Sequence, residues 1–284
     1  MCEFCAQHGE GQKWYLQAKN YSADLLSDAR RRNFYTESGW NDPATLRGQS
    51  ATLDTDLDRL NRAPSFVRAV VRWQIVRSGK RRHYGQVVPI EDVEQIFGFV
   101  NSIVRMACIC RHAAGRREQR YCYGVSISPG ASFIEETTRQ AGYLYGPDNG
   151  GLETLTREEA LDAFREHERE SLCHSVWTFI TPFIGGVCNC DRADCLSMRA
   201  TVNHGLPMMF RAEYVAAVDP DQCNGCRACM RGCQFGALGF SAAQKKATVE
   251  SRQCFGCGVC RAFCPQDAIA LRDRTSVPAA ARLW

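Results

Sequence analysis

Two runs of cysteine dominate the C-terminal part of the chain, and both follow the pattern C-x2-C-x2-C-x3-C. They comprise Cys223, Cys226, Cys229, Cys233, Cys254, Cys257, Cys260 and Cys264. Three thiolates on one tight loop can hold three corners of a 4Fe-4S cubane, while the fourth corner takes a thiolate from elsewhere in the chain. Zinc ribbons use two C-x2-C pairs, and disulfide frameworks belong to secreted chains, so this spacing favours iron.

The second run follows the first at a constant offset, which indicates an internal duplication. The correspondence extends beyond cysteine, because Gly225 matches Gly256 and Ala237 matches Ala268. Glycine lets the backbone of each loop approach a cluster closely. After the third cysteine of each run we expect a short helix, with the fourth cysteine at its start.

These paired runs resemble the two-cluster bacterial ferredoxin family over residues 213 to 273. In that family the fourth cysteine of each run ligates the cluster of the other run. The resemblance therefore implies one 4Fe-4S cluster on Cys223, Cys226, Cys229 and Cys264, and a second on Cys254, Cys257, Cys260 and Cys233. It also implies relay of single electrons at low potential, on the order of −400 mV. This sequence departs from the pattern at Gln234, where the second run has Pro265, and the ligands are unaffected.

The whole chain has 284 residues, which is too long for a ferredoxin module alone. We expect an α+β fold made of an N-terminal α/β domain over residues 1–212, the two-cluster module over 213–273 and a C-terminal tail over 274–284. Seventeen cysteines without a charged-then-apolar leader at the start favour a reducing cytoplasm. A net charge of +4 is mild, so we expect no nucleic-acid partner, and the apolar runs are too short for membrane insertion.

The periodicity of apolar residues predicts the main elements of the N-terminal part. Helices are expected over 13–32, 54–62, 66–76, 89–104 and 131–141, and over 156–171, where Thr156 and Glu159 form a capping box. Strands are expected over 121–128, 176–180 and 185–187. Because helix and strand signals alternate, a compact α/β domain is favoured over a helical bundle.

Six more cysteines lie in three short segments at the expected strand ends. They are Cys108, Cys110, Cys122, Cys188, Cys190 and Cys195. Four of them would complete a third site, for a 4Fe-4S cluster or for zinc, and Arg111 could counter its charge. Cysteine also serves as a small buried hydrophobe, so packing without metal stays open. We expect the two C-x-C segments to converge, with Cys108 and Cys110 sharing one face of a strand, and we expect Cys173 to be structural.

The C-x-C-R segment with its later cysteine also resembles the N-terminal extensions of some longer ferredoxin-type proteins of anaerobes. At the N-terminus, Cys2, Cys5 and His8 form a C-x2-C-x2-H set. This set could bind one metal, cap a neighbouring cluster or be a buried thiol pair.

Three functions are consistent with these residues. The first is an electron-transfer protein or subunit that docks on a larger redox protein or oxidoreductase subunit, using basic turns at Arg30–Arg32 and Lys80–His83. The second is an iron-sulfur reductase with its own substrate site in the N-terminal domain, and the third is a redox or oxygen sensor. No glycine-rich nucleotide fingerprint follows a strand, so bound NAD and a P-loop ATPase are not supported.

Overall fold

A mixed β-sheet organises the N-terminal part of the chain in the computed structural model. The structure describes residues 2–27, 43–116, 120–139, 141, 144 and 150–284. Within them, seven strands join in the order β4-β2-β3-β6-β5-β1-β7. These strands are β1 (Gly85–Val87), β2 (Ser102–Met106), β3 (Cys122–Ser126), β4 (Glu153–Thr154), β5 (Cys173–Thr178), β6 (Ile184–Cys190) and β7 (Met209–Phe210). All neighbours are antiparallel except β1 and β7.

Helices flank this sheet and connect its strands. They are α1 (Glu3–His8), α2 (Pro43–Arg62), α3 (Ser65–Arg82), α4 (Ile90–Phe99), α5 (Ile109–Ala113), α6 (Ser132–Thr138), α7 (Arg157–Arg169) and α8 (Leu196–Met198), which a π-helical turn (Arg199–Asn203) continues. The predicted capping box of α7 is present, with Thr156 and Glu159 bonded reciprocally. Among the described residues, no helix is long and apolar enough to cross a membrane.

The two faces of the sheet have different compositions. Side chains alternate between faces along a strand, so Tyr123, Val176 and Val187 share one face. They pack with α4 and α7 in the largest hydrophobic core. The opposite face carries thiols, because Cys122 stands opposite Cys188 and Cys190 stands opposite Cys173 in the strand register. The fold therefore separates an ordinary core from a cysteine-rich face.

The duplicated sequence forms two small antiparallel sheets of two strands each. Strand β8 (Tyr214–Val218) pairs with β11 (Ile269–Asp273), and β9 (Leu238–Ser241) pairs with β10 (Lys246–Val249), all antiparallel. Each sheet thus takes one strand from each repeat. Two 3-10 helices, Ala228–Gly232 and Val259–Phe263, occupy equivalent positions. The structure is therefore α+β, as expected.

The C-terminal residues after β11 pack back on the protein. Arg274 is buried and donates to the carbonyls of Ala281 and Leu283 at 3.0 and 2.7 Å. The Trp284 ring lies against those of Phe4 and Phe210, with ring centroids 5.4 and 5.2 Å away. These contacts join the tail to the N-terminal helix and the sheet.

Several predicted elements differ from the observed ones. The segment expected to be a helix from 13 to 32 forms short 3-10 turns as far as Ser27, and residues 28–42 lie outside the described ranges. Side chains bond the backbone there, with Asn20 Nδ2 donating to Trp14 O at 2.7 Å and Tyr21 Oη to Tyr15 O at 2.6 Å. Such local bonds compete with a regular helix.

The predicted helix over 54–62 is confirmed as the second half of the longer α2. Two further predictions were wrong. The predicted basic turn at Lys80–His83 is the last turn of α3 with its C-cap. Cys108 and Cys110 do not lie on a strand, because β2 ends at Met106 and Cys108 is the N-cap of α5. The basic turn proposed at Arg30–Arg32 lies outside the described residues.

Candidate iron-sulfur centres

A small cavity in the module is lined by one thiol quartet. It has about 290 Å³ of space including its open mouth, and the cysteines on its wall are Cys223, Cys226, Cys229 and Cys264. Burial and the neighbouring thiols of Cys264, Cys226 and Cys223 raise the pKa of Cys229. The quartet implied by the resemblance, with its fourth member from the other run, is therefore gathered around one space.

The complementary quartet is gathered in the same way. Burial raises the pKa of the Cys260 thiol, and the thiols of Cys257, Cys254 and Cys233 raise it further. Burial also raises the pKa of Cys254 to about 11. Cys233 and Cys264 each follow a 3-10 helix as its C-cap, so the fourth cysteine lies at the end of the short helix and not at its start.

Backbone amides already point at these sulfurs. Cys254 Sγ accepts from Ala216 N and Gly256 N, both at 3.4 Å, while Ala237 N donates to Cys233 Sγ at 3.2 Å and Ala268 N to Cys264 Sγ at 3.3 Å. Such donors stabilise thiolates and set cluster potential.

The two loops also leave no room for side chains where the chain passes closest to itself. Gly225 and Gly256 have φ of 75° and 71°. A Cβ at Gly225 would lie 2.2 Å from Lys245 O, and a Cβ at Gly256 would lie 2.1 Å from Tyr214 O. The donor set, the cavity and the glycine turns together fit a cubane in each quartet.

Residues 216–273 match the family model of the 4Fe-4S dicluster domain. The C-terminal part of the chain is thus a ferredoxin-type 4Fe-4S module, and it supports an iron-sulfur electron-transfer role. No curated protein matched the chain in sequence. The match does not extend to the N-terminal part of the chain.

The six remaining candidate cysteines converge on one cavity. Cys188 Sγ lies 3.3 Å from Cys122 Sγ, and the remaining thiols continue from this pair as a series in which each thiol shifts the pKa of a neighbour. The series runs Cys188, Cys122, Cys108, Cys110, Cys195, Cys190. Cys188 and Cys190 lie two residues apart on β6, so the series nearly closes into a loop, which we call the six-thiol ring. The two C-x-C segments therefore meet, as the sequence analysis expected.

The spread of this ring fits a cluster better than a single ion. Sulfurs bound to one tetrahedral zinc lie about 3.8 Å apart, as follows from Zn–S bonds of about 2.3 Å. Among the described residues, Cys2, Cys5 and Glu213 are the set of three whose ligand atoms all lie within 4.8 Å of one another. No three thiols of the ring meet that limit, and the module quartets do not meet it either. The ring therefore lacks the compact set of three thiols that a single ion would need.

One cation faces the ring from inside the protein. Arg111 is buried, pairs with Asp191 and lies 4.1 Å from the centroid of the Tyr121 ring. Hydrogen bonds from Cys110 and Cys122 hold the pKa of Cys108 well below its usual value, although burial opposes this, and Arg111 lowers it further. The predicted counter-charge at Arg111 is thus beside Cys108, whose pKa it lowers.

Cys173 connects the ring to the module, which sequence reasoning missed. Burial and the neighbouring Cys257 thiol raise the pKa of Cys173 well above its usual value, and its register partner on β6 is Cys190. It belongs to one packed cluster with Cys195 and Phe235, against which Cys257 also packs. The sequence holds no signal for this role beyond the cysteine itself, because its two neighbours come from distant parts of the chain.

A large apolar cavity opens beside the ring. It has about 1120 Å³ of space, including its mouth, and all six ring cysteines lie on its wall. Phe133, Ile134, Leu144 and Phe179 line other parts of it.

The N-terminal C-x2-C-x2-H set is only partly assembled. Cys2 Sγ and Cys5 Sγ lie 2.9 Å apart, and Glu213 Oε1 lies 3.6 Å from Cys5 Sγ. His8 is outside this group of ligand atoms. Its half-buried ring stacks at a tilt on Phe4, with centroids 5.8 Å apart.

Proposed function

We propose that this protein is an electron-transfer protein or subunit in which three iron-sulfur centres form one relay. Two are 4Fe-4S clusters held by the crossed quartets of the module. The third is an iron-sulfur cluster held by four or more thiols of the six-thiol ring. The observation that carries this proposal is Cys173, which lies in one packed cluster with Cys257 of one quartet and faces Cys190 of the ring in the strand register.

When bound, each cluster supplies one-electron redox chemistry with little change of shape. The chain contributes position and electrostatics. Arg211 donates to Cys254 O at 2.6 Å and lies 4.3 Å from the centroid of the Phe255 ring, so a fixed cation adjoins the second quartet. A cation stabilises the more negative reduced state. Phe235 and Phe255 stack with centroids 4.0 Å apart and exclude water from the space towards the ring.

A partner surface is supported by helix α3, close to the six-thiol ring. Phe66 and Trp73 are 77% and 58% exposed on this helix, and Val67 and Val70 extend the apolar face. Exposed apolar patches of this kind mark interaction sites. Cys110 lines a groove together with Gly79 and Arg82 of the same helix. A redox protein docked on α3 would therefore approach the ring end of the relay.

The charges at the end of α3 favour an acidic partner, although not every basic residue of the predicted turn is available to it. Lys80 is engaged internally, with Nζ 2.6 Å from Glu3 Oε2 and 4.5 Å from the centroid of the Trp284 ring. Arg81 and Arg82 are exposed at the end of the helix. These arginines would speed encounter and fix orientation with a larger, acidic oxidoreductase subunit.

Metal analysis of the anaerobically purified full-length protein tests the number of centres. We expect about twelve iron and twelve sulfide per chain, whereas two cubanes alone would give about eight. Stepwise reduction followed by EPR should show interacting spins from more than two centres. About eight iron atoms, with six free ring thiols by alkylation after unfolding, would disprove the third centre.

Reduction of a small apolar molecule at the ring is a second candidate function, favoured by the 1120 Å³ cavity. It requires a cluster with an open coordination position on the cavity side. Cyanide added to the reduced protein should then change the EPR signal of the ring centre and leave the module signals unchanged. An unchanged ring signal would favour the relay with complete thiolate ligation.

A further inference from the structure

A compact group of potential metal ligands lies away from both thiol-rich regions. It joins Cys2 and Cys5 at the N-terminus to Glu213, which directly precedes β8 of the module. All three residues are buried, at 3%, 1% and 6% exposure. Their ligand atoms lie within 4.8 Å of one another, closer than those of any other such group in the described part of the chain.

The surroundings of Glu213 orient one of its oxygens towards the sulfurs. Arg274 Nη2 donates to Glu213 Oε2 at 2.8 Å, which leaves Oε1 directed at Cys5. A ligating carboxylate is commonly fixed in this way by an outer hydrogen bond. Two thiolates and a carboxylate carry three negative charges, which a divalent cation and Arg274 would balance.

Two polar groups beside this site have no partner. Tyr84 Oη and Trp284 Nε1 are buried without a hydrogen bond among the described residues. Burial raises the pKa of Tyr84 well above its usual value, and Cys2, Cys5, Glu213 and Glu3 raise it further. The Tyr84 ring stacks on Phe4, between Cys2 and Cys5 in sequence, with centroids 4.3 Å apart, so the hydroxyl belongs to a side chain beside this site. A buried hydroxyl without a partner is unfavourable unless an unseen ligand or water satisfies it.

We propose that Cys2, Cys5 and Glu213 bind one structural zinc ion, whose fourth position is taken by water or by Tyr84 Oη. Thiolate sulfur and carboxylate oxygen are both zinc ligands. The ion would join α1 to the start of the module, and through Arg274 to the C-terminal tail. It would thus hold together three parts of the chain that are remote in sequence.

A Cys2–Cys5 disulfide is the main competing state of this site. The sulfurs lie 2.9 Å apart, between a disulfide bond and the spacing of about 3.8 Å on tetrahedral zinc. The position of Glu213 favours the zinc site over the disulfide. A disulfide gains nothing from a buried carboxylate directed at its sulfur, whereas a cation needs that third ligand. His8, the ligand expected from sequence, is not required.

Zinc analysis of the full-length protein, purified anaerobically from zinc-containing medium, tests the proposal. We expect about one zinc per chain, and X-ray absorption at the zinc edge should show two sulfur ligands with oxygen in the remaining positions. Glu213→Gln and Cys5→Ser should each retain zinc at least about tenfold less well against a competing chelator. His8→Ala is the matched control and should retain zinc like the unaltered protein.

Several results would overturn the proposal. One is a zinc-free protein whose mass shows a Cys2–Cys5 disulfide, and another is iron in place of zinc. A third is a zinc spectrum with four sulfur ligands, which would assign the ion to the six-thiol ring. Equal zinc retention by Glu213→Gln and the unaltered protein would do the same. EPR of the module clusters shows that each variant is folded, and the spectrum of the unaltered protein remains decisive if a variant does not fold.

Discussion

The module and the six-thiol ring gather cysteines by opposite routes. In the module, each loop brings three thiols from one short run, and the duplication supplies the fourth from the other run. In the ring, two thiols come from β6, one from β3, two from the start of α5 and one from the turn before α8. Local spacing defines the first arrangement, and the register of a sheet defines the second.

This difference explains why the module is easier to predict from the sequence than the ring. A cysteine run on one loop brings its thiols together whatever fold the rest of the chain adopts. The ring depends on the neighbouring strands β3 and β6, which set Cys122 opposite Cys188, and on β5 beside them, which sets Cys173 opposite Cys190 at the edge of the ring. We therefore expect the ring to depend on the folded sheet, and each module cluster to depend on both repeats.

The largest expected effect is loss of the ring centre in the double variant Cys122→Ser/Cys190→Ser. It separates Cys188 from the three remaining ring thiols, Cys108, Cys110 and Cys195, so iron should fall from about twelve to about eight per chain. EPR signals of the module should persist. The single variant Ser175→Ala, on the same face of β5, is the control and should keep all the iron. Unchanged iron in the double variant would contradict a cluster in the ring.

The second effect tests the crossed ligands of the module. Cys233→Ala should damage the cluster held by Cys254, Cys257 and Cys260, because the Cys233 thiol lies with theirs. Cys264→Ala should damage the other cluster, whose cavity it lines. EPR of the two variants should therefore lose different signals. Loss of the Cys223 cluster in Cys233→Ala would mean that each run binds its own cluster.

The sequence predicted the module well and the N-terminal part only in outline. The cysteine runs and the glycine turns are local, so their geometry could be expected residue by residue. The convergence of the ring was also predicted, yet Cys110 was expected on a strand and lies in α5. Glu213 and Cys173 could not be found, because their partners Cys5 and Cys257 lie far away in the chain.

The apolar stripe of α3 shows a further limit of periodicity. The spacing of Phe66, Val70, Trp73 and Val76 predicted a helix with these residues on one side. The first three are exposed on that helix, and Val76 packs against the core. Periodicity reports that one face of a helix is apolar, but it does not report what covers that face.

A third, intermediate effect concerns the connection between the two regions. Cys173→Ala should leave the iron content unchanged, because all ligand thiols remain. It removes a thiol that packs in one cluster with Cys257, so electron exchange between the ring and the module should slow several-fold. Rapid-freeze EPR after partial reduction measures this exchange. Ser175→Ala again serves as the control, and an unchanged rate in Cys173→Ala would separate the ring from the relay.

The smallest effect compares equivalent positions in the two repeats. Arg227 and Gly258 both have left-handed backbones, with φ of 64° and 79°. For a residue with Cβ this conformation costs about 1–2 kcal/mol, while the Arg227 guanidinium lies 3.7 Å from the centroid of the Phe240 ring and gains about 0.5–1 kcal/mol. Arg227→Gly should therefore change the free energy of unfolding by no more than about 1 kcal/mol.

Gly258→Ala adds the backbone strain without a compensating contact and should destabilise by about 1–2 kcal/mol. Anaerobic denaturant titration of the cluster-loaded protein, followed by cluster absorbance, measures both changes. A larger loss in Arg227→Gly than in Gly258→Ala would show that the arginine stacking, and not the turn, stabilises the first loop.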